Sequence, residues 1–174
     1  MIETHPFGVF VPAKTKYLLL GSFTTKEAYD ASKVYEWFYS NGRNQFWPIM
    51  EAVYGKEIKT RTEMQQLFVN LNMASADIIY QCERKKTSNL DINLTNIVYA
   101  LDDISAIFDN AKIDKVFFTS RFVENKYRQI FKHILSHYPD IEYITLPSPS
   151  PRYAVMRKED KIKKYREVLP RLVE

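Results

Sequence analysis

Glycine is scarce in this chain, with four residues in 174, at positions 8, 21, 42 and 55. Dinucleotide fingerprints, P-loops and the Gly-x-Ser-x-Gly elbow all need closely spaced glycines, because the backbone must turn sharply or approach a phosphate. None can be assembled here, which excludes a nucleotide-cofactor enzyme of the usual kind. The lone cysteine, Cys82, cannot close an internal disulfide, and by itself it cannot hold an iron-sulfur cluster or a four-cysteine zinc site. Three histidines are present, and His133 and His137 stand four apart on a predicted helix. The intervening Ile134-Leu135-Ser136 lacks the glutamate of a zinc hydrolase, so the pair reads as structural or solvent-facing, with no metal and no cofactor expected. No run of about 18 apolar residues exists, and the amino terminus lacks a basic-then-apolar signal pattern. The expectation is a soluble, cytoplasmic chain with no membrane partner. A net charge of +4 and a pI near 9.0 are only mildly basic, so the placement of charge matters more than its total.

A chain of this length buries roughly 70% of the surface its unfolded form exposes, enough for one packed domain over residues 1–174 without staples. Short apolar runs at Tyr17–Leu20, Asp77–Tyr80, Lys115–Thr119 and Glu142–Leu146 predict buried strands. Helical spacing separates them. Met64, Leu67, Phe68 and Leu71 form one face, with a capping box at Thr60 and Glu63 or at Thr62 and Gln65. Leu101, Ile104, Ile107 and Phe108 form another; Val123, Tyr127, Ile130, Phe131 and Ile134 a third; Ile162, Tyr165, Leu169 and Leu172 the last. This alternation predicts a three-layer α/β/α fold around a mostly parallel, four-stranded sheet.

Ligands of such sheets bind outside the carboxyl ends of the strands. The residues there are Gly21-Ser22-Phe23-Thr24 after the first predicted strand, Gln81 through Arg84-Lys85-Lys86 after the second, Ser120-Arg121 after the third, and a Pro-Ser loop with Arg152, Arg157 and Lys158 after the fourth. Cations collected on one rim call for an anionic partner, and a phosphate backbone is the plainest one.

Tyr35, Trp37, Phe38 and Tyr39 make an aromatic cluster, with Phe46 and Trp47 close behind. Enzymes that act on a base in duplex DNA flip it out, stack it on aromatic side chains and read its edge with polar groups. Phe46, Trp47, Met50 and Val53 equally fit the buried face of a helix capped by Asn44 and ended near Gly55. Tyr39 and Asn41 precede that helix and are the freer candidates.

Four segments in order, Gly21-Ser22-Phe23, Phe38-Tyr39-Ser40-Asn41-Gly42-Arg43-Asn44-Gln45-Phe46-Trp47-Pro48, Cys82-Glu83-Arg84-Lys85 and Leu146-Pro147-Ser148-Pro149-Ser150-Pro151, resemble the uracil-DNA glycosylase superfamily. The closest likeness is to its hypoxanthine (deoxyinosine) glycosylase branch, and it spans about residues 17 to 152. The resemblance implies Asn44 and Ser22 as catalytic residues, with Asn44 positioning the attacking water. It implies Phe23, Tyr39, Asn41 and Ser120 around the base, with Tyr39 stacking on it. Arg84, Lys85, Lys86, Ser148, Ser150, Arg152 and Tyr153 would bind DNA carrying a deaminated base. Phe23 stands where other branches carry a water-handling Asp or Asn, and Leu146 where the uracil-specific branch has His. Both substitutions resemble the hypoxanthine branch. Thr24 and Thr25 replace the Pro-Gly expected after the first strand.

The implied activity is base excision by a monomeric, monofunctional glycosylase. Preorganised N–H groups can stabilise the leaving base without a carboxylate, while loss of a general base lowers the rate by about 10²- to 10⁴-fold. A noncatalytic binder of DNA or of the lesion on the same fold is the alternative, favoured by Phe23 and the absent Pro-Gly.

Overall fold

The computed structural model describes residues 1–24, 37–39, 42–85 and 91–173. In chain order the elements are β1 (Ile2–Thr4), β2 (Tyr17–Gly21), α1 (Phe46–Tyr54), α2 (Arg61–Asn70), β3 (Met73–Asp77), β4 (Ile79–Arg84), a 3₁₀ turn (Asp91–Asn93), β5 (Leu94–Tyr99), α3 (Leu101–Asn110), β6 (Lys115–Phe118), α4 (Arg121–Ile130), α5 (Lys132–His137), β7 (Glu142–Thr145) and α6 (Lys158–Val168).

Four strands form the expected parallel sheet, in the order β3-β2-β6-β7. Their registers run Tyr17↔Met73 to Gly21↔Asp77, Tyr17↔Lys115 to Leu20↔Phe118, and Lys115↔Glu142 to Phe118↔Thr145. All four therefore stop at one level, and Gly21, Asp77, Phe118 and Thr145 share a carboxyl edge. Successive side chains of a strand point to opposite faces, which divides the core in two. Leu18, Leu20, Val116 and Phe118 pack with Ile104, Ile107 and Phe108 of α3 and with Val123 and Tyr127 of α4. Leu19, Met73 and Phe117 pack on the other face with Trp47 and Met50 of α1, Met64 and Phe68 of α2, and Tyr165 of α6. This is the three-layer arrangement that the periodicity predicts.

The second parallel strand is not where the apolar run placed it. It is Met-Ala-Ser-Ala-Asp, fully buried but made of small residues with weak strand preference, so the Ile78-Ile79 run beside it carried the sequence signal instead. At Ile78 the chain leaves the parallel sheet, its N–H donating to Gly21 O at 2.9 Å. Ile79 then opens β4 of a second, antiparallel sheet ordered β1-β4-β5. That sheet was not expected, because β1 has three residues and β5 shows no buried alternation beyond Leu94. The edge of β3 is covered by an antiparallel bridge from Phe10 to Ser75, which blunts it against further pairing.

Helix ends follow local chemistry. Gly55 closes α1 in the left-handed region at φ +62°, a conformation glycine adopts without steric cost. The expected single helix over Val123 to Ile134 breaks at Phe131, whose backbone (φ −102°, ψ 36°) leaves helical geometry. Its buried ring stacks on Tyr127 at 5.1 Å. Leu169 is extended at φ −73°, ψ 150°, as a residue preceding proline prefers, so α6 stops short of Leu172.

Of the two possible capping boxes, Thr60 and Glu63 form the real one: Glu63 N–H donates to Thr60 Oγ1 at 3.1 Å, and Glu63 Oε2 accepts from Thr60 N–H at 2.9 Å. Thr60→Ala is therefore expected to lower unfolding stability by about 1 kcal/mol in urea titrations, whereas Thr62→Ala should leave it nearly unchanged.

Candidate active site at the carboxyl edge of the sheet

Gly21 ends β2 against the end of β3, and a methyl group there would overlap Asp77 Oδ1 and stand 2.9 Å from the Tyr39 hydroxyl oxygen. Glycine is needed for close approach rather than for an unusual φ. Asp77 is buried, and its Oδ2 accepts from Thr24 Oγ1 at 2.8 Å and pairs with His5 Nε2 at 2.7 Å. The backbone N–H groups of Phe7 and Gly8 donate to His5 Nδ1, each at 3.2 Å. An Nδ1 that accepts carries no proton, so the proton sits on Nε2, and a neutral imidazole donates to the carboxylate. The amino-terminal segment thus orients Asp77 from outside the parallel sheet.

Trp37 to Tyr39 are anchored by Trp47 Nε1, which donates to Phe38 O at 2.8 Å. Tyr39 adopts φ +60°, a left-handed backbone that side chains rarely take and that marks stored strain. One face of its ring stacks on Phe46 with centroids 4.0 Å apart, which takes that face from the base stacking that the resemblance implies. The hydroxyl points to Gly21 and makes no hydrogen bond among the described residues. Burial, then the Asp77 charge, hold its pKa well above the ordinary phenol value. Thr119 pulls weakly the other way, but its hydroxyl donates to Leu20 O at 3.2 Å and no well-formed bond joins it to Tyr39.

Ser22 lies one residue beyond Gly21 and donates through Oγ to Asp91 Oδ1 at 2.9 Å. Burial raises the pKa of Asp91; the Asp77 charge adds to this, while the Ser22 bond and Arg84 oppose it. Arg84, expected on a DNA-facing rim, is paired with Glu3, Nε reaching both carboxylate oxygens at 2.9 and 3.0 Å, and its side chain is 9% exposed. The cause is the strand placement: Arg84 ends antiparallel β4 and not a strand of the parallel sheet. Its guanidinium lies 6.0 Å from the Phe23 ring centre, and Phe23 meets His5 edge-on at 5.8 Å. Lys85 is exposed, while Lys86 and Asn41 lie outside the described residues.

Asn44 Oδ1 accepts from Phe46 N–H at 2.9 Å, so the helix-capping role is present, one residue ahead of the formal N-cap Gln45. Gln45 joins this segment to the Pro-Ser loop, its N–H donating to Pro149 O at 2.8 Å. Lys161, 1% exposed, clamps the junction by donating to Gln45 Oε1 at 2.9 Å and Ser150 O at 3.0 Å. Tyr165 donates to Pro147 O at 2.9 Å. Ser148 and Ser150 accept from the N–H groups of Ser150 and Arg152 and shape the turn, which leaves Arg152 and Tyr153 exposed at its tip. Ser120 caps α4, accepting from Val123 N–H at 3.2 Å, so its hydroxyl is partly committed.

The fold thus gathers Ser22, Phe23 and Tyr39 on one level, and joins Asn44 to the loop bearing Ser148 through Tyr153. Sequence reasoning missed three residues at the centre: His5, Asp77 and Asp91. The available signal for Asp77 was a carboxylate closing the run Met-Ala-Ser-Ala. His5 and Asp91 carry no local signal, since only tertiary packing brings them to the edge.

The chain shares its fold with a candidate uracil DNA glycosylase from Methanosarcina acetivorans determined in solution, with a TM-score of 0.63 and 17% identity over 96% of this chain and 98% of that one. No protein-family model and no curated protein matches the sequence. Among the described residues no helix is long and apolar enough to cross a membrane.

Because the pKa of folded Asp91 is raised, the carboxyl contributes stability that is complete below its unfolded value, roughly 4, and is lost as pH rises through the folded value. Asp91→Asn keeps an oxygen to accept from Ser22 and removes the charge. The variant is expected to be at least as stable as wild type at pH 7, with the difference shrinking to nothing toward pH 3. Thermal melts across that range check the sign.

Proposed function

We propose that this chain is a DNA glycosylase of base excision repair that hydrolyses the N-glycosidic bond of a deaminated base, hypoxanthine before uracil, without metal or cofactor. The observation that carries the reading is convergence. Three of the four segments that resemble the hypoxanthine branch, spread over more than 100 residues of chain, meet along one sheet edge: Gly21-Ser22 against Tyr39, and Gln45 against Pro149. The fold likeness to a candidate uracil DNA glycosylase supports it.

In the proposed reaction, water adds to the anomeric carbon as the bond to the base nitrogen breaks, the base leaves with the electron pair, and the proton lost by the water ends on the departing base. Asn44 has an amide N–H₂ beyond its cap bond to hold the water, and Tyr39 confines the base. Phe23 supplies no proton acceptor, so turnover is slow, within the loss of about 10²- to 10⁴-fold that a missing general base costs. Phosphate contacts fall to exposed Lys85, Arg152, Arg157 and Lys158. A noncatalytic binder is the second reading, favoured by Phe23, which meets His5 edge-on and supplies no polar atom where a water-handling residue would stand.

Incubation with oligonucleotides bearing inosine, uracil or xanthine, followed by alkaline scission at abasic sites, tests the enzyme; uncleaved substrates throughout would leave the binder. In single turnovers, Asn44→Ala should lose about 10²-fold or more in rate beyond a cap cost of about 1 kcal/mol. A destabilised but fully active variant would reduce Asn44 to a cap.

The loop tip yields a separate expectation. Prolines at 147, 149 and 151 stiffen it, and Lys161 holds it in place. Arg152→Ala and Tyr153→Ala should slow action on duplex more than on single strands, because unstacking costs a few kcal/mol only where a base is stacked. Equal losses on both substrates would assign the tip to general binding.

A further inference from the structure

The Pro-Ser loop is fastened at successive points. Tyr165 Oη donates to Pro147 O, the Gln45 N–H donates to Pro149 O, and Ser150 O accepts from both Tyr153 N–H at 3.1 Å and Lys161 Nζ at 3.0 Å. Beyond these anchors Pro151 to Val155 are exposed, Val155 at 86%. Lys161 is the charged anchor. It is buried, its bonds go to the neutral oxygens of Gln45 and Ser150, and the Tyr153 ring, 39% exposed, lies 5.5 Å from its ammonium. An ammonium buried without a carboxylate is costly, and an apolar side chain of the same length would cost less. Burial accordingly lowers the pKa of Lys161. What the cation does that a methionine cannot is draw two oxygens and an aromatic face to one point.

We propose that Lys161 is a positioning residue for the engagement of duplex DNA, fixing the turn from Ser150 to Tyr153, and that the Tyr153 ring belongs to this latch while Arg152 is the residue the latch presents. The bonds from Ser150 N–H to Ser148 Oγ and from Arg152 N–H to Ser150 Oγ lie within the loop and set its shape. Lys161 sets where that shape stands, because its partners belong to the loop and to the residue ahead of α1. A ring that enters a base stack leaves the ammonium, since the contact holds only within about 6 Å. The two tip residues therefore have different tasks.

This inference rests on the reading above that the protein engages DNA at this edge, and binding without excision separates the two claims. Duplex and single-stranded oligonucleotides carrying one 2′-fluoro-2′-deoxyinosine serve as probes, because the fluorine disfavours the oxocarbenium-like sugar and preserves the glycosidic bond. In anisotropy titrations Lys161→Met should lose about tenfold in affinity for the duplex probe and less than about twofold for the single strand. Salt dependence tells positioning from contact: a buried ammonium neutralises no phosphate, so the slope of log affinity against log salt should be unchanged in Lys161→Met and lowered by about one in Arg152→Ala. Tyr153→Leu removes the aromatic face from an exposed residue. It should reproduce the duplex loss with an unchanged melting temperature, and add little to Lys161→Met in the double variant. If Lys161→Met fails to fold, Tyr153→Leu compared on the two probes carries the test. Equal losses on both probes, a slope lowered by about one in Lys161→Met, or losses from the two variants that add in full overturn the latch. Wild type that binds neither probe overturns both claims. Excision of unfluorinated inosine with normal duplex binding by Lys161→Met would sustain the glycosylase and sink this inference; the expected binding losses without excision of any base would do the reverse.

Discussion

The close approach of Gly21 to Asp77 and Tyr39 is the constraint around which the carboxyl edge is organised. A parallel sheet brings strand ends together only if its registers agree, and here β2 and β3 pair from Tyr17↔Met73 to Gly21↔Asp77 without a shift. The carboxylate therefore arrives beside the one strand-end residue that has no side chain. Burying that carboxylate is tolerable because its Oδ2 has two donors, and an unpaired buried charge would be far more costly. One donor, His5, comes from a segment just past a three-residue strand, so the small antiparallel sheet is part of the apparatus that orients the site.

A second organising contact lies on the opposite side of the edge. Lys161 is almost fully buried, and burial lowers its pKa. It bonds to Gln45 and Ser150, and its ammonium lies 5.5 Å from the Tyr153 ring centre. Long cationic side chains usually keep their heads in water. Here the head ties α6, the start of α1 and the Pro-Ser loop into one unit, so the exposed tip at Arg152 and Tyr153 projects from a fixed base. Three prolines remove backbone freedom from the same loop, and the two effects reinforce each other.

The carboxylates at the edge divide the work by environment. Asp77 has two donors on one oxygen and a neutral imidazole beside it. Asp91 has one donor among the described residues, Ser22, and feels the Asp77 charge; burial is the largest influence and its pKa rises. A carboxyl perturbed in this way is a recurrent property of functional sites, and Asp91 stands beside the strand end where Phe23 supplies no polar atom. Arg84 moderates this negative charge from the β4 side, held by Glu3.

Residue periodicity was sufficient for the layers. Apolar spacing of 3.6 along α2, α3 and α4, and buried runs at β2, β6 and β7, specify which faces meet, and hydrophobic burial acts on that pattern without regard to detail. The chemistry of Thr60 and Glu63, of Gly55 and of Pro170 likewise fixed helix ends locally. Ser22, Tyr39 and Asn44 were singled out through segments that resemble a known family, and the structure sets Ser22 and Tyr39 at the carboxyl edge and Asn44 ahead of α1. What stayed hidden depends on contacts between distant residues. β3 is built of small residues whose strand state comes from pairing with β2, and His5, Asp77 and Asp91 meet only once two sheets are assembled. Hydrogen-bond partners 53 to 72 positions apart leave no periodic trace in a chain, because their pairing is set by register and packing and not by local preference.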